Sequence, residues 1–252
     1  MGILNAYEEG GTPIVTPDKF YEKKEKIADV AIACFTKKAL DHVLATYRHE
    51  TYWEFQSTGN GPTAIYYLPD FRVLFFMSLI GSSLAGGLLQ EIAFISGVTT
   101  FVYFGSCGVL DPSSRGQFLV PTEVYREEGY SYHYAPPSEW MPIKNHEKVA
   151  SFFSSMGAKY VMGRGWTTDA IYNETLSKWQ AHKQEGVLSV DMEASGLQAI
   201  ANHIGVELYI FFFAGDILGE TWVRGDLGGE RERIRQVSAV EAALALGKSL
   251  VG

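Results

Sequence analysis

Four short stretches carry side chains able to do chemistry, each at the end of an apolar run. In "SVDMEASGL" (189–197) two acids, Asp191 and Glu193, stand two residues apart around Met192, between an apolar start and a helix-like continuation. A glutamate there can accept two hydrogen bonds from a vicinal diol, which suits a ribose; the same charge in the first turn of a helix also complements the helix dipole. In "FFFAGDIL" Asp216 follows a run of apolar residues. A carboxylic acid at the mouth of such a strand is partly desolvated, so its pKa rises toward the range of a general acid. The alternative is an aspartate capping a turn before "GETW". "GSCG" (105–108) reads as a small-residue turn that offers backbone N–H groups and the Ser106 hydroxyl to an anion or to the edge of a sugar. Small residues serve equally where backbones only need room. "WTTDAIY" (166–172) combines hydroxyls, an acid and two aromatic rings, and also reads as a capping cluster before a helix.

The elements that must position these residues alternate. "DVAIACF" (29–35) has the apolar run of a buried strand, and "TKKALDHVLATY" (36–47) follows at helical spacing with Thr36 as N-cap. "TAIYYLP" (63–69) and "RVLFFMS" (72–78) pair as a hairpin around Pro69-Asp70. A helix over 84–97 stops at Gly97. Strands are expected at 99–108, 116–125, 159–168, 188–193 and 207–216, and helices at 146–157, 173–186 and 194–205, with a long helix closing the chain. Such alternation predicts an α/β fold, a three-layer α/β/α sandwich whose central sheet is mixed and covered by helices. Ligands in such sheets bind outside the carboxyl ends of the strands, so the loops after "VYFGSC", "VMGRGW", "SVDME" and "FFFAGD" are expected to converge on one site. With no internal repeat, low-complexity tract or linker, residues 1–252 are expected to form a single domain, with 1–25 as an irregular N-terminal arm.

Composition narrows the classes. Hydrophobic residues make up 46% of the 252, enough for a substantial core, and the formal net charge is −8. A nucleic-acid binder usually carries a basic footprint, so nucleic acid is not an expected partner. The longest apolar runs are under ten residues, too short to span a bilayer. The first residues lack the basic and apolar pattern of a signal peptide. Two cysteines, Cys34 and Cys107, make no disulfide framework and point to a reducing compartment, the cytoplasm. Six histidines and two cysteines show no metal-ligand spacing, so neither a metal nor another cofactor is expected.

From "RVLFFMSLIG" to the final helix the chain resembles the nucleoside phosphorylase family that includes hexameric purine nucleoside phosphorylases and uridine phosphorylases. The resemblance rests on "GVTTFVYFGSCGVL", "GVLSVDMEASGLQAIA" and "FFFAGD", with "WTTDAIYNET" and "YREEGYSYHY" similar to segments of one bacterial branch. It implies a partly barrel-like sheet and a set of roles. Ser106 would contact phosphate and Gly108 would lie beside the base. Val190 and Met192 would wall base and sugar, and Tyr172 falls in the base-side segment. Glu193 would hold the ribose hydroxyls. Asp216 would protonate the purine N7, assisted by Arg231, with Arg224 as a rival. Asp191 carries no implied role; it points the other way from a strand and is expected to be structural or at the surface.

The departures are specific. The family's phosphate loop after the first strand has a glycine and an arginine where this chain has Phe35 and Ala39, and an arginine two residues before "GSCG" is replaced by Tyr103. Lys37, Lys38, Arg48 or Arg126 are the candidates to compensate. Arg126, Glu128 and His133 in "YREEGYSYHY" (125–134) fit either a lid or an aromatic subunit interface, the latter favoured. The resemblance implies phosphorolysis of a nucleoside, purine more than pyrimidine, by a dimer-based homo-oligomer that could reach a hexamer, with phosphate as co-substrate. A nucleoside hydrolase and a non-catalytic nucleoside-binding protein are the alternatives.

Overall fold

The computed structural model describes residues 2–225 and 228–251. Its elements run β1 (Val30–Cys34), α1 (Lys37–Thr46), β2 (Glu50–Ser57), β3 (Gly61–Leu68), β4 (Val73–Met77), α2 (Ser82–Ser96), β5 (Thr100–Val109), β6 (Phe118–Glu127), α3 (Ser131–Tyr134), β7 (Trp140–Pro142), α4 (His146–Ser155), β8 (Tyr160–Thr168), α5 (Leu176–Gln184), β9 (Val187–Asp191), α6 (Ala194–Ile204), β10 (Glu207–Ile217) and α7 (Glu230–Ser249). All the strands belong to one sheet of order β10-β6-β8-β9-β5-β1-β4-β3-β2, with β7 on β6. β10 also pairs with β5, so β10, β6, β8, β9 and β5 close into a five-stranded barrel, and β1, β4, β3 and β2 continue from it as an open wing. The pairings β1–β4, β1–β5, β5–β10, β6–β8 and β8–β9 are parallel; β6–β10, β5–β9 and the β2–β3–β4 meander are antiparallel.

The period of two along β1 explains the layers. Ala31 and Ala33 face a cluster that includes Leu88 and Ile92 of α2 and Leu197 and Ile200 of α6. Val30, Ile32 and Cys34 face the opposite cluster, with Val43 of α1 and Val240, Ala243 and Leu244 of α7. A strand apolar on both faces must be covered on both, which makes the expected three-layer sandwich with its mixed, partly barrel-like sheet. The local punctuation also follows the sequence. Thr36 caps α1 through Ala39 N at 3.2 Å, and Gly97 ends α2 in the left-handed region at φ 67°, a conformation that costs glycine nothing.

Three features depart from expectation. β2 lies where no strand is expected: its aromatic residues alternate with glutamates and it is partly exposed at the sheet edge. The segment 125–134 is not wholly a loop, because it finishes β6 and turns into α3. "GSCG" is no turn but the interior of β5, paired to β10 from Gly105↔Phe212 to Gly108↔Asp216. Its glycines make room instead. A Cβ on Gly105 would lie 2.8 Å from Phe35, and one on Gly108 2.8 Å from Val190.

Candidate active site

Strand ends β5, β9 and β10 meet at a cavity of about 580 Å³ lined by Phe35, Thr36, Ile80, Ser106, Cys107, Gly108, Ile171, Tyr172, Glu174, Val190, Asp191, Met192, Glu193, Asp216, Leu218 and Trp222. Ser106, Gly108, Tyr172, Val190, Met192, Glu193 and Asp216, singled out from the sequence, are thus brought together. Arg231 is not: it sits exposed in the first turn of α7, outside the lining.

Asp216 owes its direction to an irregularity. The β10–β5 register slips between Ala214 and Asp216, so that Gly215 is the extra residue and Asp216 stands opposite Gly108. One extra residue flips the parity of every side chain after it. Without it Asp216 would face the side opposite Ser106 and Gly108. With it, the carboxylate hangs over Gly108, whose missing Cβ would lie 3.6 and 3.7 Å from its two oxygens. Burial raises the Asp216 pKa, while the Trp222 indole N–H, donating to Oδ2 at 2.6 Å, pulls it down.

Glu193 occupies the junction between β9 and α6. Its carboxylate accepts from Gly81 N at 2.7 Å and from Met192 N at 3.3 Å. Gly81 makes this possible with φ 102°, and the α2 start is locked there by Ser82 Oγ donating to the Met192 carbonyl at 3.0 Å. Only 6% of Glu193 is exposed. Burial first, and the charge of Asp191 second, push its pKa up to about 8.

Asp191 is structural, and it is buried rather than at the surface. Its Oδ1 accepts from Glu193 N, Ala194 N and Thr167 Oγ1 at 2.9, 2.8 and 3.1 Å, which caps α6. Burial raises its pKa to about 6 against these hydrogen bonds.

The residues weighed as replacements for the missing phosphate loop lie elsewhere. Phe35 lines the cavity and packs on Tyr103 with ring centroids 5.9 Å apart. Tyr103 itself is sealed in the core. Ala39 is buried in α1 against α7. Lys37, Lys38, Arg48 and Arg126 do not line the cavity. Arg126 is buried and holds its own loop, donating to Ser131 Oγ and the Pro136 carbonyl, each at 2.8 Å. Glu128 accepts from Ser195 Oγ and Ser131 N, so both residues tie α3 to its surroundings, while His133 is exposed. Sequence reasoning missed Glu174 and Trp222. Each stands close behind a stretch already singled out, Glu174 two residues after Tyr172 and Trp222 in "GETW".

The cavity can hold a molecule with a flat apolar part and a polar rim. Val190, Met192, Leu218 and Phe35 give apolar wall, and Ile80, Tyr172 and Trp222 stand exposed at the mouth. Glu193 and Asp216 supply acceptors or proton donors. None of the described lining residues is a lysine or arginine, and four are acids. Among the described residues no group of three or more His, Cys, Asp or Glu could hold a metal ion, and no helix is long and apolar enough to cross a membrane.

The buried acids make stability depend on pH. Between its ordinary value of 4.5 and about 8, Glu193 holds a proton when folded that it has lost when unfolded. Its contribution is therefore fully present below about 4.5 and is lost as pH rises to about 8. The protein is expected to melt at a lower temperature at pH 8 than at pH 6. Glu193→Gln, which cannot ionise, should flatten that slope in a calorimetric series. An unaltered slope would clear Glu193 of the effect.

A closed barrel within an α/β sandwich thus carries Glu193 at a strand–helix junction and Asp216 at a bulge, both lining one cavity. The phosphorylase superfamily model matches residues 29–251, and the chain belongs to that superfamily. Among its relatives is the DeoD-type purine nucleoside phosphorylase of Caldanaerobacter subterraneus subsp. tengcongensis, 26% identical over 153 residues that cover 58% of this chain and 62% of that one. The DeoD-type purine nucleoside phosphorylase of Thermoanaerobacter sp. (strain X514) is 24% identical over 159 residues, 60% of this chain and 65% of that protein. These matches span under two thirds of the relatives' own length.

Proposed function

We propose that the protein cleaves the N-glycosidic bond of a purine nucleoside. The observation that carries this reading is the placement of Glu193 and Asp216 in one cavity, with the glycine surface of β5 running to Asp216. Glu193 holds the 2′- and 3′-hydroxyls of the sugar. The base lies beside Gly108, walled by Val190 and Met192, with Tyr172 at the mouth. As the C1′–N9 bond breaks, its electron pair passes to the base and the Asp216 carboxyl gives its proton to N7. A carboxyl whose pKa is raised by burial suits that task. The positive charge that develops on the sugar favours ionisation of Glu193, so the buried acid stabilises the transition state more than the ground state. Family membership and the relatives' names support phosphate as the acceptor, which then leaves as pentose 1-phosphate, with Ser106 on the phosphate side. We read the protein as a cytoplasmic homo-oligomer of purine nucleoside metabolism, in keeping with two free, buried cysteines.

One observation favours a second reading, in which water is the acceptor. A phosphate dianion in a cavity lined by four acids and no described cation is opposed electrostatically, and Phe35 occupies the wall where a phosphate loop is expected. Inosine, adenosine, guanosine and uridine are incubated with and without phosphate, and free base is followed. Purine release that needs phosphate supports phosphorolysis. Equal release without it supports hydrolysis. Thermal stabilisation by a nucleoside with no release of base would leave a binding protein and remove the catalytic reading.

A further inference from the structure

We propose that Glu174 reads the six-position of the bound purine, so that Glu174 and Asp216 together select 6-aminopurines over 6-oxopurines. The inference rests on the purine-nucleoside reading above and adds a specificity residue to it. Glu174 follows the 3-10 turn Ile171–Asn173 and immediately precedes Thr175, the N-cap of α5. It lines the same cavity as Asp216 and is half-buried there. Among the described residues nothing donates a hydrogen bond to its carboxylate. The other acids of the lining are engaged: Asp191 caps α6, Glu193 accepts from Gly81 and Met192, and Asp216 accepts from Trp222. Glu174 is thus the lining acid whose oxygens no described protein group occupies.

The charge of Asp216 acts on Glu174. Burial is the main cause that lifts Glu174 to a pKa of about 7, followed by the charges of Asp216 and of Glu127 on β6; Lys178 on α5, ion-paired to Glu127, works the other way. On the catalytic reading Asp216 brings one proton to this pair of carboxyls in the one cavity. A pair with one proton presents one donor and one acceptor.

That pattern discriminates between purines. A 6-aminopurine offers an acceptor, N7, beside a donor, the exocyclic amine. Asp216 donates to N7 while the Glu174 carboxylate accepts from the amine. A 6-oxopurine offers two acceptors, N7 and O6, along the same edge. Its O6 would face a carboxylate, so either a second proton must be taken up or both oxygens stay unpaired in a half-buried site. Sites built around a hydrogen-bond pattern reject a ligand that leaves their polar groups unpaired.

The test uses two readouts. The first is kcat/KM for adenosine and for inosine; the second is the affinity of adenine and of hypoxanthine by titration calorimetry. Wild type is expected to favour the amino compound in both by roughly 10–100-fold, the discrimination that one unpaired buried polar group provides. Glu174→Gln carries an amide that can donate to O6 and is expected to bring the ratio to about one or below. Glu174→Ala should lower it likewise and guards against a folding defect peculiar to the glutamine. An adenine-to-hypoxanthine ratio unchanged in both variants overturns the proposal, as does a wild type that favours neither base. If wild type binds adenine better, the variants lose that preference, and no nucleoside is cleaved, then Glu174 reads the base as stated and the catalytic reading fails alone.

Discussion

Asp216→Ala is expected to lower kcat on a purine nucleoside by about 10²–10⁴-fold, the usual worth of a positioned general acid, with KM much less affected. At 1.36 kcal/mol per tenfold this is ~3–5 kcal/mol of transition-state stabilisation. The cause is specific. The bulge at Gly215 sets the carboxyl over Gly108, and burial raises its pKa against the pull of Trp222. Asp216→Asn should lose nearly as much, because the amide keeps the shape and cannot give up a proton to a leaving base. The loss should shrink for a 7-methylpurine nucleoside, whose base departs neutral without a proton on N7. Equal losses on both substrates would mean that Asp216 positions the base and does not protonate it. Wild-type turnover in Asp216→Ala would remove it from the mechanism altogether.

Glu193→Ala is expected to lower kcat/KM by about 10²–10³-fold, since two hydrogen bonds to a group that becomes charged in the transition state are lost at ~1.5–3 kcal/mol each, less what water restores. The penalty should almost vanish for a nucleoside lacking both the 2′- and 3′-hydroxyls, which makes the sugar contact separable from a general disturbance. The variant also leaves Gly81 N without its acceptor at the start of α2. Glu193→Gln preserves an oxygen for that N–H, so a loss shared by both variants reports the charge that Glu193 takes on in the transition state. A full penalty on the dideoxy substrate would show that Glu193 acts on the protein and not on the sugar.

Both acids are legible in the chain itself because their signals are local. "SVDME" and "FFFAGD" each join a strand to an acid at its end, and strand ends are where such sheets bind ligands. Thr36 and Gly97 are legible for the same reason, since a cap depends on a few neighbouring residues. "GSCG" is misleading. Small residues suit both a tight turn and a close approach of packed side chains, and only Phe35 and Val190, which press on those glycines, separate the two. Arg126 misleads likewise: an arginine among tyrosines reads as a surface contact until Ser131 and Pro136 are seen to claim it.

Periodicity and residues a few positions apart are enough to specify the alternation of strands and helices, the two-faced burial of the central strands and the two acids that stand at strand ends. They do not specify that β10 pairs with both β5 and β6 to close a barrel, or that a register slip turns Asp216 inward. Tertiary folding alone brings Phe35, Glu174 and Trp222 to the same cavity and keeps the candidate phosphate ligands Lys37, Lys38, Arg48 and Arg126 out of it. These outcomes rest on pairing between segments distant in the chain, where a shift of one residue reverses which face a side chain joins. No local pattern encodes that shift.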